Sequence, residues 1–507
     1  MRKIIRVLIL VSSCAVVLSG QSWAQTGDKS EKIRAAMPVV EKLLKEYADK
    51  YHIPGLAYGI IADGKLAGTV TYGYSNLEKK IPVTTKSAFR IASMTKSFIS
   101  VAILKLRDEG MIRLDDPAYL YIPELKDQHY LTQDASIVTI RQLLTHTAGF
   151  PEDNPWGDRQ LAISDEQMIA MIKKGISFSN VPGRIYEYSN LGFAMLGYII
   201  KKVSGKTYGD YINENILLPL GMKDTYWEYA KVPEKQLVKG YRLVDGKYIQ
   251  QPMLHDGAYG AMGGMIASMD DFAKYAAFHL DAWPPRNDKE NTVLKRSSVR
   301  EMQYPWVFNT LNAEYKYPGG RACATTMGYG YGLRWSKDCL GRETIGHSGG
   351  LPGFGSNWMV LPDYGIGVIF FGNHTYAPGT LINYHIIDTL LAVTGLKPYK
   401  IPVSKILNQR KKELTKLLPD WKNAEQSGIF AENFFSDYFI DALRKESTAI
   451  FGSAGKIIRA NELVAENHLR GYFILEGEKA DIKISFTLTP EAPPLIQRYT
   501  IELIDHK

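Results

Sequence analysis

A chain of 507 residues with 45% hydrophobic, 11% aromatic and 22% charged side chains is too long for one ordinary core; its size predicts about two to four domains, and its globular composition excludes long disorder, collagen-like repeats and disulfide-dense miniproteins. The formal net charge of +8 includes Arg2, Lys3 and Arg6 of the extreme N-terminus. No lysine and arginine stripe interleaved with aromatics occurs, so nucleic acid is not expected as a partner.

The chain opens with the charged segment Met1-Arg2-Lys3-Ile4-Ile5-Arg6, an apolar run from Val7 to Leu18, and Ser22-Trp23-Ala24. That order predicts a secretory signal peptide over residues 1–24 and export to the periplasm. Cys14 inside the run leaves lipoprotein processing as an alternative, against which stands the short core it would leave. Nothing later reaches about 18 consecutive apolar residues, so no transmembrane segment is expected in the mature chain. After cleavage only Cys323 and Cys339 remain. Whether they pair stays open: a joined loop of about 15 residues would contribute about 3 kcal/mol, and two separate buried thiols satisfy the sequence equally. Zinc spacing and H-E-x-x-H are absent, so no metal is expected.

Ile33, Met37, Val40, Leu43, Leu44 and Tyr47 recur at helical spacing and predict a first helix from Ser30 to Tyr51, ended by Pro54-Gly55. Leu56 to Ile61, Asp63-Gly64 and Leu66 to Tyr72 read as a β-hairpin. From Ser93 to about Val203 the pattern is mostly helical. A helix from Asp270 to Phe278 then precedes strand-like stretches at Tyr329 to Trp335, Thr344 to Ser348, Ser356 to Leu361 and Ile366 to Phe371, closed by a helix from Ile382 to Thr394. Strands at both ends of a helical insert predict an α+β class: an antiparallel sheet flanked by helices, plus an all-helical lobe. Pro398 and Pro402 mark a linker over 397–404. It separates a domain over 25–396 from an accessory domain over 405–507, helix-like to about Leu443 and then stranded at Gly471 to Leu475, Ile482 to Leu488 and Ile496 to Leu503. This second domain reads as small α+β or β-barrel-like.

Ser93-Met94-Thr95-Lys96 places a hydroxyl and an amine three residues apart at the start of a helix that is apolar nearly all round. Positions i and i+3 share a face, and desolvation there lowers an amine pKa, which makes the pair a nucleophile and its base. Backbone N–H groups at the helix start could stabilise an oxyanion. The motif alone is weak: Ser453-Ala454-Gly455-Lys456 matches it and reads as a turn. The bland reading of the first match is a capping serine and a snorkelling lysine. Two segments strengthen the chemical one. Tyr188-Ser189-Asn190 sets a phenol and an amide at a loop-to-helix junction, and His347-Ser348-Gly349-Gly350 lies on a strand whose glycines leave room for a ligand at its edge.

With these three motifs the chain resembles the serine β-lactamase and penicillin-binding protein superfamily, especially its class C β-lactamase-like branch, over about residues 35 to 395. Phe89-Arg90-Ile91-Ala92-Ser93, Leu114-Asp115-Asp116-Pro117, Leu143-Leu144-Thr145-His146-Thr147-Ala148-Gly149, Pro219-Leu220-Gly221-Met222 and Gly263-Gly264-Met265 follow in that family's order. The resemblance implies a β-lactamase/transpeptidase-like fold, acylation of Ser93, proton transfer by Lys96 and Tyr188, and a substrate amide held by Asn190. It also implies an oxyanion hole from the N–H groups of Ser93 and Gly350, a substrate carboxylate or polar end met by His347 and Ser348, a strand edge through Gly349, and no cofactor. One departure matters: where many members carry Lys-Thr-Gly, this chain has His347-Ser348-Gly349, and a mostly neutral imidazole attracts a carboxylate less than an ammonium does. Histidine there is similar to some D-alanyl-D-alanine carboxypeptidases and D-aminopeptidases, which points to D-residue peptides, including peptidoglycan fragments, or related esters.

Other readings compete. A class C-like β-lactamase or an esterase would use the same residues, and a non-catalytic cell-wall-fragment binder would have no need of a serine, lysine and tyrosine relay. Gly346-His347-Ser348-Gly349-Gly350 also satisfies the G-x-S-x-G nucleophile elbow, yet Leu351-Pro352-Gly353 breaks the helix that motif needs. Ser204-Gly205-Lys206-Thr207 lacks a phosphate loop's first glycine, and Gly328-Tyr329-Gly330-Tyr331-Gly332 lacks a dinucleotide site's spacing.

Overall fold

The computed structural model describes residues 26–290 and 293–506; the expected signal peptide, with Cys14, lies outside the described residues. The chain divides after Lys397 into two compact units.

In the first unit, helix α1 (Thr26–Lys50) buries Ile33, Ala36, Val40, Leu44 and Ala48 along one stripe. Strands β1 (Gly55–Ala62) and β2 (Lys65–Asn76) form the expected hairpin, with Asp63 and Gly64 at φ of 52° and 73°, the left-handed pair a tight turn requires. A short strand β3 (Ile81–Pro82) follows, and then the helices α2 (Thr95–Asp108), α3 (Asn190–Ser204) and α4 (Met269–Asp281). Strands β4 (Val307–Asn312), β5 (Thr325–Tyr329), β6 (Arg334–Asp338), β7 (Glu343–Leu351), β8 (Phe354–Leu361) and β9 (Ile366–Gly372) lead to helix α5 (Gly379–Thr394).

These strands make one 9-stranded antiparallel sheet in the order β3-β2-β1-β9-β8-β7-β6-β5-β4. The two ends of the unit meet at its centre, where Leu56 pairs Gly372 and Ala62 pairs Ile366. Strands β1, β8 and β9 are buried along their whole length because both faces are covered. Tyr58, Ile60, Val368 and Phe370 pack with residues of α1 and α5, and Ala57, Ile61, Ile369 and Phe371 with α4 and the helical lobe.

The stretch from Tyr329 to Trp335 is a reversal rather than the single strand expected. β5 ends at Tyr329 and β6 begins at Arg334, with Gly332 at φ of 65° between them. The reason is a close approach that only glycine allows: a Cβ on Gly332 would lie 2.3 Å from Ser100 Oγ of α2. Cys323 and Cys339 are joined as a disulfide.

The second unit packs helices Lys405–Leu417 and Ile440–Ala454 with a 5-stranded sheet. Its last strands alternate as the sequence does, burying Phe473, Leu475, Ile482, Ile484, Phe486, Tyr499 and Ile501 against Leu407, Leu414 and Trp421. The helical stretch expected to end near Leu443 runs on to Ala454 and stops at Gly455, whose φ of 77° caps it. Ser453 therefore sits in a last helical turn, its hydroxyl donating to Ala449 O at 3.1 Å. Among the described residues no helix is long and apolar enough to cross a membrane.

Candidate active site

The chain reaches α2 through one turn, Ala92–Met94. Ala92 has φ of 48°, in the left-handed region, a conformation that costs about 1–3 kcal/mol and persists where neighbours over-determine it. They do so here: Ile91 N–H donates to Met265 O at 3.0 Å, Ser356 Oγ to Ile91 O at 2.7 Å, and Thr95 Oγ1 to Ala92 O at 2.7 Å. Ser93 is thereby held at the head of α2 with 7% of its surface exposed.

Lys96 is fully buried. Burial pushes its amine down from 10.5 to about 7, with Asp153 and Asp158 opposing that change and Arg334 adding to it. Its Nζ donates to Asn190 Oδ1 and to Met262 O, each at 2.8 Å, and lies 3.0 Å from Ser93 Oγ. A neutral amine has two N–H groups and one lone pair; with both N–H groups engaged, the lone pair is left to face the serine hydroxyl. This arrangement can accept the Ser93 proton.

Tyr188 and Asn190 come from the segment entering α3. Ser189 caps that helix, its Oγ accepting Gly192 N–H at 3.3 Å. Asp153 caps it again: its carboxylate accepts the N–H groups of Asn190 at 2.6 Å and Leu191 at 2.8 Å. So anchored, Asn190 offers Oδ1 to Lys96 and donates through Nδ2 to Asn154 Oδ1 at 2.6 Å. The Tyr188 hydroxyl is hydrogen-bonded to the Ser93 side chain, and Lys96 Nζ lies 4.8 Å from its ring centre. Burial raises the Tyr188 phenol well above its ordinary range, so it stays protonated and can donate.

Strand β7 brings the remaining segment. At Gly349 it passes the Ser93 turn so closely that a Cβ would lie 2.3 Å from both Ile91 O and Ser356 Oγ. Pairing of β6 with β7 runs from Lys337 and Glu343 to Arg334 and Gly346 and stops there. From His347 to Leu351 that edge has no partner strand among the described residues, while the other edge pairs with β8. An extended ligand can add along it as a further strand. Ser348, Gly349 and Gly350 lie half-buried on this edge. No helix follows Ser348; β7 continues to Leu351 and turns into β8, so the strand-to-helix elbow is not formed.

His347 is 1% exposed. Its Nε2 lies 2.9 Å from the Tyr329 hydroxyl and its Nδ1 2.6 Å from Ser348 O, so both ring nitrogens are engaged within the protein. Burial, with Arg334 and Lys96 nearby, holds it neutral. It forms part of the wall behind the open edge.

The permanent cation at the site is Arg334, which sequence reasoning did not single out. It stands where β6 closes the edge, is exposed, and has its guanidinium carbon 5.6 Å from the centre of the Tyr188 ring. No carboxylate among the described residues pairs with it; the groups acting on its charge are Tyr186, Tyr329, Tyr188 and Tyr384. Beyond Arg334 and Ser348 the cleft continues into a cavity of about 180 Å³ lined by Met327, Trp335, Tyr315 and Tyr384. Asp153 was also missed, being one acid in Glu152-Asp153-Asn154 with no periodic signal. Among the described residues no group of His, Cys, Asp and Glu could hold a metal ion.

Residues 40–391 match the family model described as Beta-lactamase. The chain is similar to Protein flp of Staphylococcus aureus strain N315, 29% identical over 385 residues that cover 73% of this chain and 69% of that protein. It is similar to Unguisins hydrolase ungD' of Aspergillus campestris, 28% identical over 374 residues, 71% of this chain and 66% of the relative. Among solved structures, the octameric penicillin-binding protein homologue from Pyrococcus abyssi shares the fold with a TM-score of 0.59 at 24% identity, over 93% of this chain and 96% of that one. A penicillin binding protein from Bacillus halodurans does so with a TM-score of 0.53 at 22% identity, over 68% and 98%.

Proposed function

The chain belongs to the beta-lactamase family of serine hydrolases, and on that footing we propose that it works through an acyl-enzyme on Ser93 and removes the C-terminal residue of peptides ending in a D-amino acid. The observation that carries the reading is the buried Lys96 amine with its Nζ 3.0 Å from Ser93 Oγ. Lys96 takes the hydroxyl proton as Oγ attacks the scissile carbonyl. The tetrahedral oxyanion is held by the N–H groups of Ser93 and Gly350. Tyr188 passes its proton to the leaving nitrogen and regains one from Lys96, the C–N bond breaks, and the amine departs. Water then attacks the ester and gives its proton to Lys96, the C–Oγ bond breaks as that proton returns to Ser93 Oγ, and the shortened peptide leaves as a carboxylic acid.

The C-terminal preference follows from the closed end of the edge. A substrate strand lying along His347 to Leu351 cannot run past the Arg334 and Gly346 pair, and the cation met there suits a terminal carboxylate. Arg334 thus supplies the permanent charge that His347 does not. The D-configuration rests on the likeness of His347-Ser348-Gly349 to D-peptidases. Export to the periplasm is part of the same proposal. The charged and apolar N-terminal segment supports it, and so does the joined pair Cys323 and Cys339, since disulfides persist in oxidising compartments.

The test combines intact mass after incubation with benzylpenicillin and release of D-alanine from an acyl-D-alanyl-D-alanine peptide, with Ser93→Ala alongside. A one-equivalent adduct and D-alanine release, both lost in Ser93→Ala, are expected. D-alanine release that persists in Ser93→Ala overturns the nucleophile. Cleavage of esters but not of the peptide, lost in Ser93→Ala, overturns the substrate class alone.

A further inference from the structure

Two segments of the sequence remain without a role in the reaction above: Thr145-His146-Thr147 and Gly328-Tyr329-Gly330. The structure joins them to the site through a buried run of hydrogen bonds whose direction can be settled at both ends. Ser189 N–H lies 3.0 Å from His146 Nδ1. A backbone N–H only donates, so Nδ1 carries no proton and a neutral His146 carries it on Nε2. That nitrogen is 3.1 Å from the Tyr329 hydroxyl. At the other end His347 Nδ1 is 2.6 Å from Ser348 O. A carbonyl only accepts, so here the proton is on Nδ1 and the lone pair on Nε2, which faces the same Tyr329 hydroxyl at 2.9 Å. The two deductions meet on one oxygen: Tyr329 accepts from His146 and donates to His347. One phenol satisfies both rings only in this sense, and only with both rings neutral.

We propose that Tyr329 is a positioning residue that keeps His347 in its Nδ1–H form and so fixes the substrate edge of β7. The Nδ1–H bond to Ser348 O sets the plane of the Ser348 and Gly349 peptide, one residue before the Gly350 N–H of the oxyanion hole. The other tautomer would aim a ring lone pair at the Ser348 carbonyl and push that peptide away. The surroundings oppose a second proton on the ring. His146, Tyr329 and His347 are 2%, 0% and 1% exposed, and the groups facing them are Lys96 from α2, Tyr186 and Tyr188 from the segment before α3, and Arg334 from β6. The two cations repel a charge on either ring, and both rings are held well below the usual histidine range, chiefly by burial. Loss of the phenol hydroxyl leaves the buried Nε2 lone pair without its donor, so that the Ser348 carbonyl alone then favours the Nδ1–H form.

This proposal rests on the reading of residues 347–350 as the substrate strand, and its test separates the two. In the intact wild-type protein, nitrogen NMR of the imidazoles should show one Nδ1–H ring and one Nε2–H ring, assigned with His347→Gln and His146→Gln, neither titrating between about pH 5 and 8. In Tyr329→Phe, which keeps the ring, His347 should populate both tautomers and begin to titrate. The kcat for peptide should fall about tenfold to a hundredfold, as expected when an oxyanion donor is displaced, with a smaller change in KM. The kcat/KM profile should gain a second ionisation on its acid side. An Nε2–H form of His347 in the wild type overturns the proposal without reference to any variant. An unchanged tautomer and pH profile in Tyr329→Phe overturn it as well. Correct tautomers combined with peptide cleavage that survives Ser93→Ala would instead fault the reading of the reaction.

Discussion

The pH dependence set by Lys96 can be worked out in both rate and stability. The amine is buried without a carboxylate in contact and is pushed down from 10.5 to about 7, chiefly by desolvation. At 1.36 kcal/mol per pKa unit this is on the order of 5 kcal/mol of differential interaction. Above about pH 7 the folded lysine is deprotonated while the unfolded one holds its proton up to about 10.5, so the unfolded state binds more protons across that window. The Lys96 contribution to stability should therefore rise with pH from about 7 to 10.5 and carry the whole penalty below 7. Asp256 also titrates at about 7, raised from 3.8 by burial, but a raised carboxyl loses stability between about 4 and 7, and buried tyrosines such as Tyr58, Tyr275 and Tyr329, raised by burial, lose stability as pH nears 10, so the difference between wild type and Lys96→Met isolates the lysine. The rate follows the neutral amine: kcat/KM should rise through an ionisation near 7 and fall to roughly a tenth at pH 6. Asp256→Asn should leave that limb in place. Asp153→Asn removes a carboxylate that holds the Lys96 pKa up, so its limb should move to lower pH. Urea melts at pH 7, 8.5 and 10 and a kcat/KM profile from pH 5 to 10, each with Lys96→Met, provide the assay. A limb at pH 9 or above, or stability that falls between pH 7 and 10 in the wild type but not in Lys96→Met, would refute a neutral buried base.

Other outcomes follow from the site. Arg334→Gln should lower kcat/KM for a free C-terminal carboxylate by about tenfold to a hundredfold, the worth of a hydrogen bond to a charged group, and leave the C-terminal amide of the same peptide unaffected. Gly349→Ala places a Cβ 2.3 Å from Ile91 O and Ser356 Oγ; acylation by benzylpenicillin should slow by about a hundredfold through misplacement of β7, with a loss of about 1–3 kcal/mol in denaturant unfolding. Replacing Cys323 and Cys339 together by serine opens a loop with a sequence separation of 16 and should cost about 3 kcal/mol in the same assay, with peptide cleavage retained.

Much of the fold is legible because local signals and tertiary demands agree. The Asp63-Gly64 turn, the stripe on α1 and the strict alternation of Ile482, Ile484 and Phe486 each name their element and the buried face. Ser93, Lys96, Tyr188 and Asn190 were legible as types at suggestive spacings, and the structure brings all four together. Illegible features depend on partners distant in sequence. The reversal after Tyr329 is imposed by Ser100 of α2, which no window around Gly332 contains. Arg334 looks like any strand arginine until its pairing with Gly346 sets it at the closed end of the edge. The state of His347 depends on Tyr329, 18 residues away, and through it on His146, another 183 residues off.

These distant partners explain why a histidine can stand where an ammonium is common. A second titratable cation beside Lys96 would depress that amine further and gain a proton in the same range in which Lys96 must lose one, so two equilibria would contend within one site. Engaging both nitrogens of His347 with Tyr329 and Ser348 withdraws the ring from titration. The charge needed for a carboxylate moves to a guanidinium that never titrates, at the closed end of the edge, with Lys96 Nζ 4.8 Å and Arg334 Cζ 5.6 Å from the centre of the Tyr188 ring. Binding charge and base are thereby assigned to different residues, and the pH at which the base becomes available is set chiefly by burial, with Asp153 and Asp158 raising it and the fixed charge of Arg334 lowering it.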